Sequence, residues 1–288
     1  MIKTFLRVFF SCILSLFIAI GCLAGSACYF ANTTVCDSAP MLRVAKTQGF
    51  TTQLYEEIAY DWENLLSITG VTEPESIMAV LTLELVERDA LKYITDSYAG
   101  SATVTTEDLR SQLDQKVRDY AYSHNIHATP EAELEQNIND LVDACISDYT
   151  ESIRIPLLPK LLSYASNLGS LFEKLIPLIA GGIGALLLFL LVLQKKRRDT
   201  LYYAAISSAT GGIMLFAVTM LTQHYDILNR LPFSDSAVKT LVVSYLQMIL
   251  NELNRYGIIF MLAAAILLVA YLMFCLFAKL FRKNTQTA

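Results

Sequence analysis

Two kinds of pattern alternate along this chain. Uncharged apolar runs occupy residues 8–31, 175–193, 201–221 and 258–277, each close to the about 20 residues that cross a hydrocarbon core. Between the first two runs, apolar positions recur every three to four residues, the period of a helix with one buried face. Strict apolar–polar alternation of the strand kind is absent there. Start signals punctuate this stretch. Thr72-Glu73-Pro74-Glu75 has the form of a capping box with proline in the first turn, and Thr105-Thr106-Glu107-Asp108 and Thr129-Pro130-Glu131 repeat the logic. Gly70 and Gly100 stand where helices stop. The spacing predicts helices over 50–69, 73–99, 106–123 and 130–153, packed as a small bundle.

The predicted fold class is therefore all-α, with four transmembrane helices and a helical-bundle extracytoplasmic domain inserted between the first and second. The segments run as follows: a signal-anchor helix (1–31), an acidic helical domain (32–175), a second span (176–194), a basic turn (195–200), a third span (201–222), an outer loop with an amphipathic helix (223–256), a fourth span (257–278) and a tail (279–288). The first apolar run exceeds the about 7–15 residues of a cleaved signal core, so it reads as an uncleaved anchor. Amphipathic stretches at 157–175 and 237–250 lead into the second and fourth spans. Their apolar faces need cover, from each other and the bundle or from the outer leaflet. Gly181-Gly182-Ile183-Gly184 and the run Ser207 to Gly212 supply small and hydroxyl side chains, expected to pack the second span against the third.

Composition agrees with the pattern. Hydrophobic residues make up 54% and charged residues 17%, where soluble domains carry about 25% charged residues. The net charge of −5 conceals an asymmetry: residues 31–175 hold 23 acidic and 10 basic side chains, and the remainder holds 4 acidic and 12 basic. The basic residues cluster beside the spans, above all Lys195, Lys196, Arg197 and Arg198 in the turn. A four-span arrangement puts every cluster on one side, as the positive-inside rule requires. Both termini are then expected in the cytoplasm of a bacterial cell membrane. An acidic domain argues against nucleic acid as a partner, because phosphate binding needs basic surface.

Candidate chemistry is sparse. Glu84 and Arg88 lie four apart on the apolar face of the predicted helix 73–99, in the order that favours an ion pair, and Trp62 is placed to line the same bundle interior. On the oxidising side, Cys36 and Cys145 are the candidate pair for a disulfide. His124 and His127 are residue types that bind zinc, but they share one loop and read as polar surface. No nucleophile–base motif, metal pair or cofactor fingerprint is evident, which disfavours an extracytoplasmic hydrolase. The expectation is a protein with no chemistry of its own, held in membrane lipid, whose outer domain binds a ligand, a protein partner or a second copy in an assembly, scaffold or sensor role.

The order of span, large outer domain, span, short turn, span, small outer loop and span resembles the layout of the cell-division permease-like and macrolide-exporter families. That resemblance implies a mechanotransmission subunit driven by a cytoplasmic ATPase through a cytoplasmic coupling helix. Here the corresponding segment is only residues 195–200.

Overall fold

A computed structural model describes residues 2–124, 131–194, 197–230 and 236–284. All regular secondary structure among the described residues is helical, with no strand. In chain order the helices are α1 (Ile2–Phe30), α2 (Ser38–Thr47), α3 (Phe50–Ile68), α4 (Pro74–Met78), α5 (Leu83–Tyr98), α6 (Glu107–Ser123), α7 (Glu131–Ile153), α8 (Leu158–Leu193), α9 (Arg197–His224) and α10 (Ser236–Asn284). A π-helical turn, Ala31–Val35, follows α1 directly. Four helical segments are long and apolar enough to cross a membrane. The chain divides into two units, one formed by residues 37–167 and 232–245, the other by residues 1–36, 168–231 and 246–288.

In the first unit, α3 places Leu54, Ile58, Trp62 and Leu66 at intervals of four, and all four are buried. This is the apolar stripe that a core-facing helix needs. Two glycines with positive φ bound α3, Gly49 (75°) before it and Gly70 (85°) after it, in a backbone region that suits residues without a Cβ. α2, which the sequence reading did not resolve as a separate helix, is started by Asp37, whose carboxylate accepts from the Ala39 amide at 3.0 Å.

The predicted helix 73–99 is two helices. The chain leaves α4 after Met78, and Thr82 begins α5 by accepting from the Leu85 amide at 3.2 Å. Nor does Thr72 cap α4. Its amide donates to the Tyr120 hydroxyl at 2.8 Å, tying the α3–α4 connection to α6. Between α6 and α7, Arg118 is shared by Asp114 at 2.8 Å and Glu135 at 2.5 Å. α10 contributes its first turns to this unit, where Ala237, Val238 and Leu241 are buried. The bundle therefore covers the apolar face that begins at 237.

In the second unit, α9 is the most enclosed span: 39% of its apolar window is buried, against 6% for the segments ending at Leu193 and Phe277. Its neighbours differ from the expected pairing of the second and third spans. Ser207 faces α1, its hydroxyl 2.8 Å from that of Ser15. Ser208 and Gly212 face α10: Ser208 donates to the Phe260 carbonyl at 2.8 Å, and a Cβ on Gly212 would stand 2.9 Å from the Gly257 oxygen. α8 instead packs on α1 around Leu14, Ile18 and Leu190, with Gly21 leaving room for Ile183. Gly181, Gly182 and Gly184 have nothing within 4 Å of where a Cβ would be. They point away from the contacts that the sequence reading assigned them.

Candidate functional site

A cavity of about 1060 Å³ in the bundle unit is walled by charged side chains from several helices. Glu57 and Asp61 come from α3, one turn apart, beside the core positions Ile58 and Trp62. Asp148 and Glu151 come from α7, three residues apart. Arg154 follows the end of α7, and Lys160 lies in the first turn of α8. The sharp passage between these helices turns on Leu157, a non-glycine residue at φ 67°. Tyr93 from α5 closes another side, its hydroxyl donating to the Ile155 carbonyl at 3.3 Å.

Trp62 and Tyr149 hold α3 to α7 beneath this cavity. The indole N–H of Trp62 donates to the Cys145 carbonyl at 3.1 Å, and the two rings lie 6.4 Å apart. Tyr149 donates to Asp89 Oδ2 at 2.8 Å, and Arg88 Nε donates to Asp89 Oδ1 at 2.8 Å. Burial, and then the Asp89 carboxylate, push the Tyr149 hydroxyl above the usual phenol range. It therefore acts as a fixed donor to a buried carboxylate.

Asp148 is the cavity's unsatisfied group. Its Oδ2 is buried and has no hydrogen-bond partner. Burial raises its carboxyl to about 6, helped by the like charges of Asp61 and Glu151. Neither Arg154 nor Lys160 forms an ion pair with it; Arg154 acts instead on the Tyr93 hydroxyl. A few residues away on α3, Gln53 and Glu57 grip the start of α10. Glu57 accepts from the Ala237 amide at 3.1 Å and from the Ser236 hydroxyl. Gln53 donates to Ser236 Oγ at 3.0 Å and accepts from Thr240 Oγ1 at 2.7 Å. One orphan amide of the helix, that of Ala237, and the hydroxyls of Ser236 and Thr240 are thus satisfied by side chains of another helix.

A second feature is an apolar seam on α8. Leu161, Tyr164, Leu168 and Leu171 are 64%, 61%, 47% and 50% exposed. Their spacing of three, four and three is that of the a and d positions of a coiled coil. Polar residues flank them in the sequence at Lys160, Asn167, Glu173 and Lys174.

The residues singled out by sequence fare unevenly. Arg88 turns to Asp89 rather than to Glu84, because Asp89 is buried and already anchored by Tyr149. Cys36 and Cys145 are both free thiols. Cys145 is fully buried in the bundle core, with its thiol raised to about 12 by burial and by Asp148, while Cys36 packs at Gly169 of α8. Lys195 and Lys196 lie outside the described residues, as does His127. Arg197 opens α9, and Arg198 pairs with Asp199 at 3.5 Å. His124 ends α6 stacked on Tyr120 at 4.2 Å. Among the described residues no group of three or more His, Cys, Asp or Glu is placed to hold a metal ion.

Sequence reading missed the cavity, Asp148 and the grip on α10. The only sequence signal for them was the i, i+4 pair Glu57/Asp61 and the i, i+3 pair Asp148/Glu151, common patterns on any acidic helix. No protein-family model, no curated protein and no solved structure matches the chain.

Proposed function

We propose that this protein is a multi-pass membrane protein whose helical domain lies outside the cytoplasm and serves to bind a protein partner or a second copy of itself, in an assembly, scaffold or sensor role and without chemistry of its own. The observation that carries this reading is the α8 seam. α8 is a single helix of 36 residues, about 54 Å at 1.5 Å per residue. A hydrocarbon core of about 30 Å covers little more than half of it. Pro177 separates the segment bearing Leu161 to Leu171 from the apolar run that follows, and that segment carries its apolar side chains exposed on the helix surface. Regular a/d spacing is what a partner helix packs against.

Affinity capture of the full chain from a mild detergent extract tests this. A stoichiometric partner, or a differently tagged second copy, is expected with the wild type and lost with Leu161→Glu and Leu168→Glu. Recovery of the same lone monomer from wild type and variants alike would sink the proposal.

A second reading, a transmission subunit working with a cytoplasmic ATPase, draws support from α8 and α10, each of which contributes residues to both units. Co-purification of an ATPase whose turnover changes on adding this protein would favour it over the first.

A further inference from the structure

The cavity between α3 and α7 presents a problem of charge. Asp148 stands on α7 with one carboxylate oxygen buried and without a donor. Every ionisable neighbour that acts on it carries the same sign: Asp61 across the seam on α3, and Glu151 along its own helix. The other titratable and charged groups of the cavity are Glu57 on α3, Tyr93 on α5, Arg154 after α7 and Lys160 on α8, and Cys145 lies a turn away on α7. Glu57 is committed to the start of α10, and Arg154 acts on Tyr93. Among the described residues neither Arg154, Lys160 nor any other cation forms an ion pair with Asp148, and the charges that act on it are those of Asp61 and Glu151. A buried carboxylate without donors and beside like charges costs free energy that a proton removes.

We propose that the α3–α7 seam is a proton-operated latch: protonation of Asp148 closes α7 on α3, and its ionisation sets Asp61, Asp148 and Glu151 against one another, loosening the seam together with the hold of Gln53 and Glu57 on the first turn of α10. The two ends of the device share one cavity, since Ser236 and Val238 of α10 line it with Asp61, Asp148 and Glu151. The direction follows from linkage. Asp148 binds its proton more tightly in the folded domain than in the unfolded chain. Its stabilising contribution is fully present below the ordinary aspartate range and is lost as pH rises through about 6. A domain with this latch is firmer in mildly acidic surroundings than in neutral ones. This is a property of the bundle itself and does not depend on what binds α8.

The chain provides its own probe, because Trp62 is its single tryptophan and lies in the seam. Full-length protein in lipid nanodiscs would be unfolded thermally, following Trp62 emission, between pH 8 and pH 5. The midpoint temperature is expected to rise by about 3–6 °C on acidification. Asp148→Asn should show the higher value already at pH 8 and little change with pH. An Asp148→Asn profile that keeps the wild-type pH dependence overturns the proposal, and so does a wild type with no pH dependence. Should Asp148→Asn not fold, Asp61→Asn and Glu151→Gln must each move the transition to lower pH, and an unmoved transition is equally fatal. Amide exchange over 236–241, corrected for its intrinsic pH dependence, separates a latch from plain stabilisation. It should be slower at pH 5 than at pH 8 in the wild type and equal in Asp148→Asn. Equal rates in the wild type would overturn the link to α10.

Discussion

Asp89 shows how one residue decides the fate of its neighbours. It is a carboxylate only 9% exposed, and such a group is tolerable only when its oxygens are occupied. Arg88 takes one oxygen and Tyr149 the other, so the arginine has no reason to reach along the helix surface to Glu84. An exposed i, i+4 pair is worth about 0.3–0.5 kcal/mol, less than a charge-assisted bond to a buried acceptor at about 1.5–3 kcal/mol. Tyr149→Phe keeps the ring against Trp62 and removes the donor. It should cost about 1–3 kcal/mol, read as a lower denaturation midpoint by Trp62 emission. A change below about 0.5 kcal/mol would mean that water or Arg88 alone satisfies Asp89. Sequence spacing offered Glu84 to Arg88 and was silent on Asp89, because Tyr149, which anchors Asp89, lies 60 residues away and only the packing of α5 on α7 brings it near.

Among the elements, the small residues of the spans separate into two classes that look alike in sequence. Gly212 meets the Gly257 oxygen and the Met261 side chain, both 2.9 Å from where a Cβ would stand, and Gly181 meets nothing. An added methyl at Gly212 pushes against backbone, which cannot rotate away, so α9 and α10 must part. Gly212→Ala should lower stability by about 1–3 kcal/mol. Gly181→Ala, which removes a helix-weakening glycine without a clash, should be neutral or slightly stabilising. Thermal unfolding in detergent compares the two, and equal losses would show that Gly181 also has a packing partner in the intact protein. Much of the element list was legible. The four apolar runs lie in α1, α8, α9 and α10, and helix ends marked by Gly70 and Gly100 fall where glycine allows positive φ. The break at 79–82 was not, because no glycine or proline interrupts Ala79, Val80 and Leu81, and Thr82 has Leu85 where a capping box would have an acidic residue. The pairing of spans was equally hidden, since in an all-apolar helix every face has the same hydropathy and only shape selects the neighbour.

At the scale of the molecule, charge is the remaining guide to orientation. Residues 31–175 carry 23 acidic and 10 basic side chains, and the rest of the chain carries 12 basic and 4 acidic. The bundle unit lies almost wholly within the acidic segment, while the basic residues gather at Lys3 and Arg7, at Lys195 to Arg198, and at Lys279, Arg282 and Lys283. The proposed orientation, with four crossings, puts these three clusters on one side of the bilayer and the acidic segment on the other. An anionic inner leaflet attracts each basic residue near its surface by about 1 kcal/mol. Translocating the four consecutive charges of the turn is therefore strongly disfavoured against retaining them. In a bacterial host, a fluorescent protein that folds only in the cytoplasm should be bright when fused after Ala288. A phosphatase that needs the oxidising side should be active when inserted after His124, and inactive when inserted at Gln194. Replacing Lys195, Lys196, Arg197 and Arg198 together with glutamine should produce a mixed population, because the clusters at either end of the chain still pull the same way. A phosphatase active at Gln194 in the unaltered chain would reverse the orientation. The bundle with its Asp148 latch would then face the cytoplasm, where pH varies little, and the latch would need another source of protons to be of use.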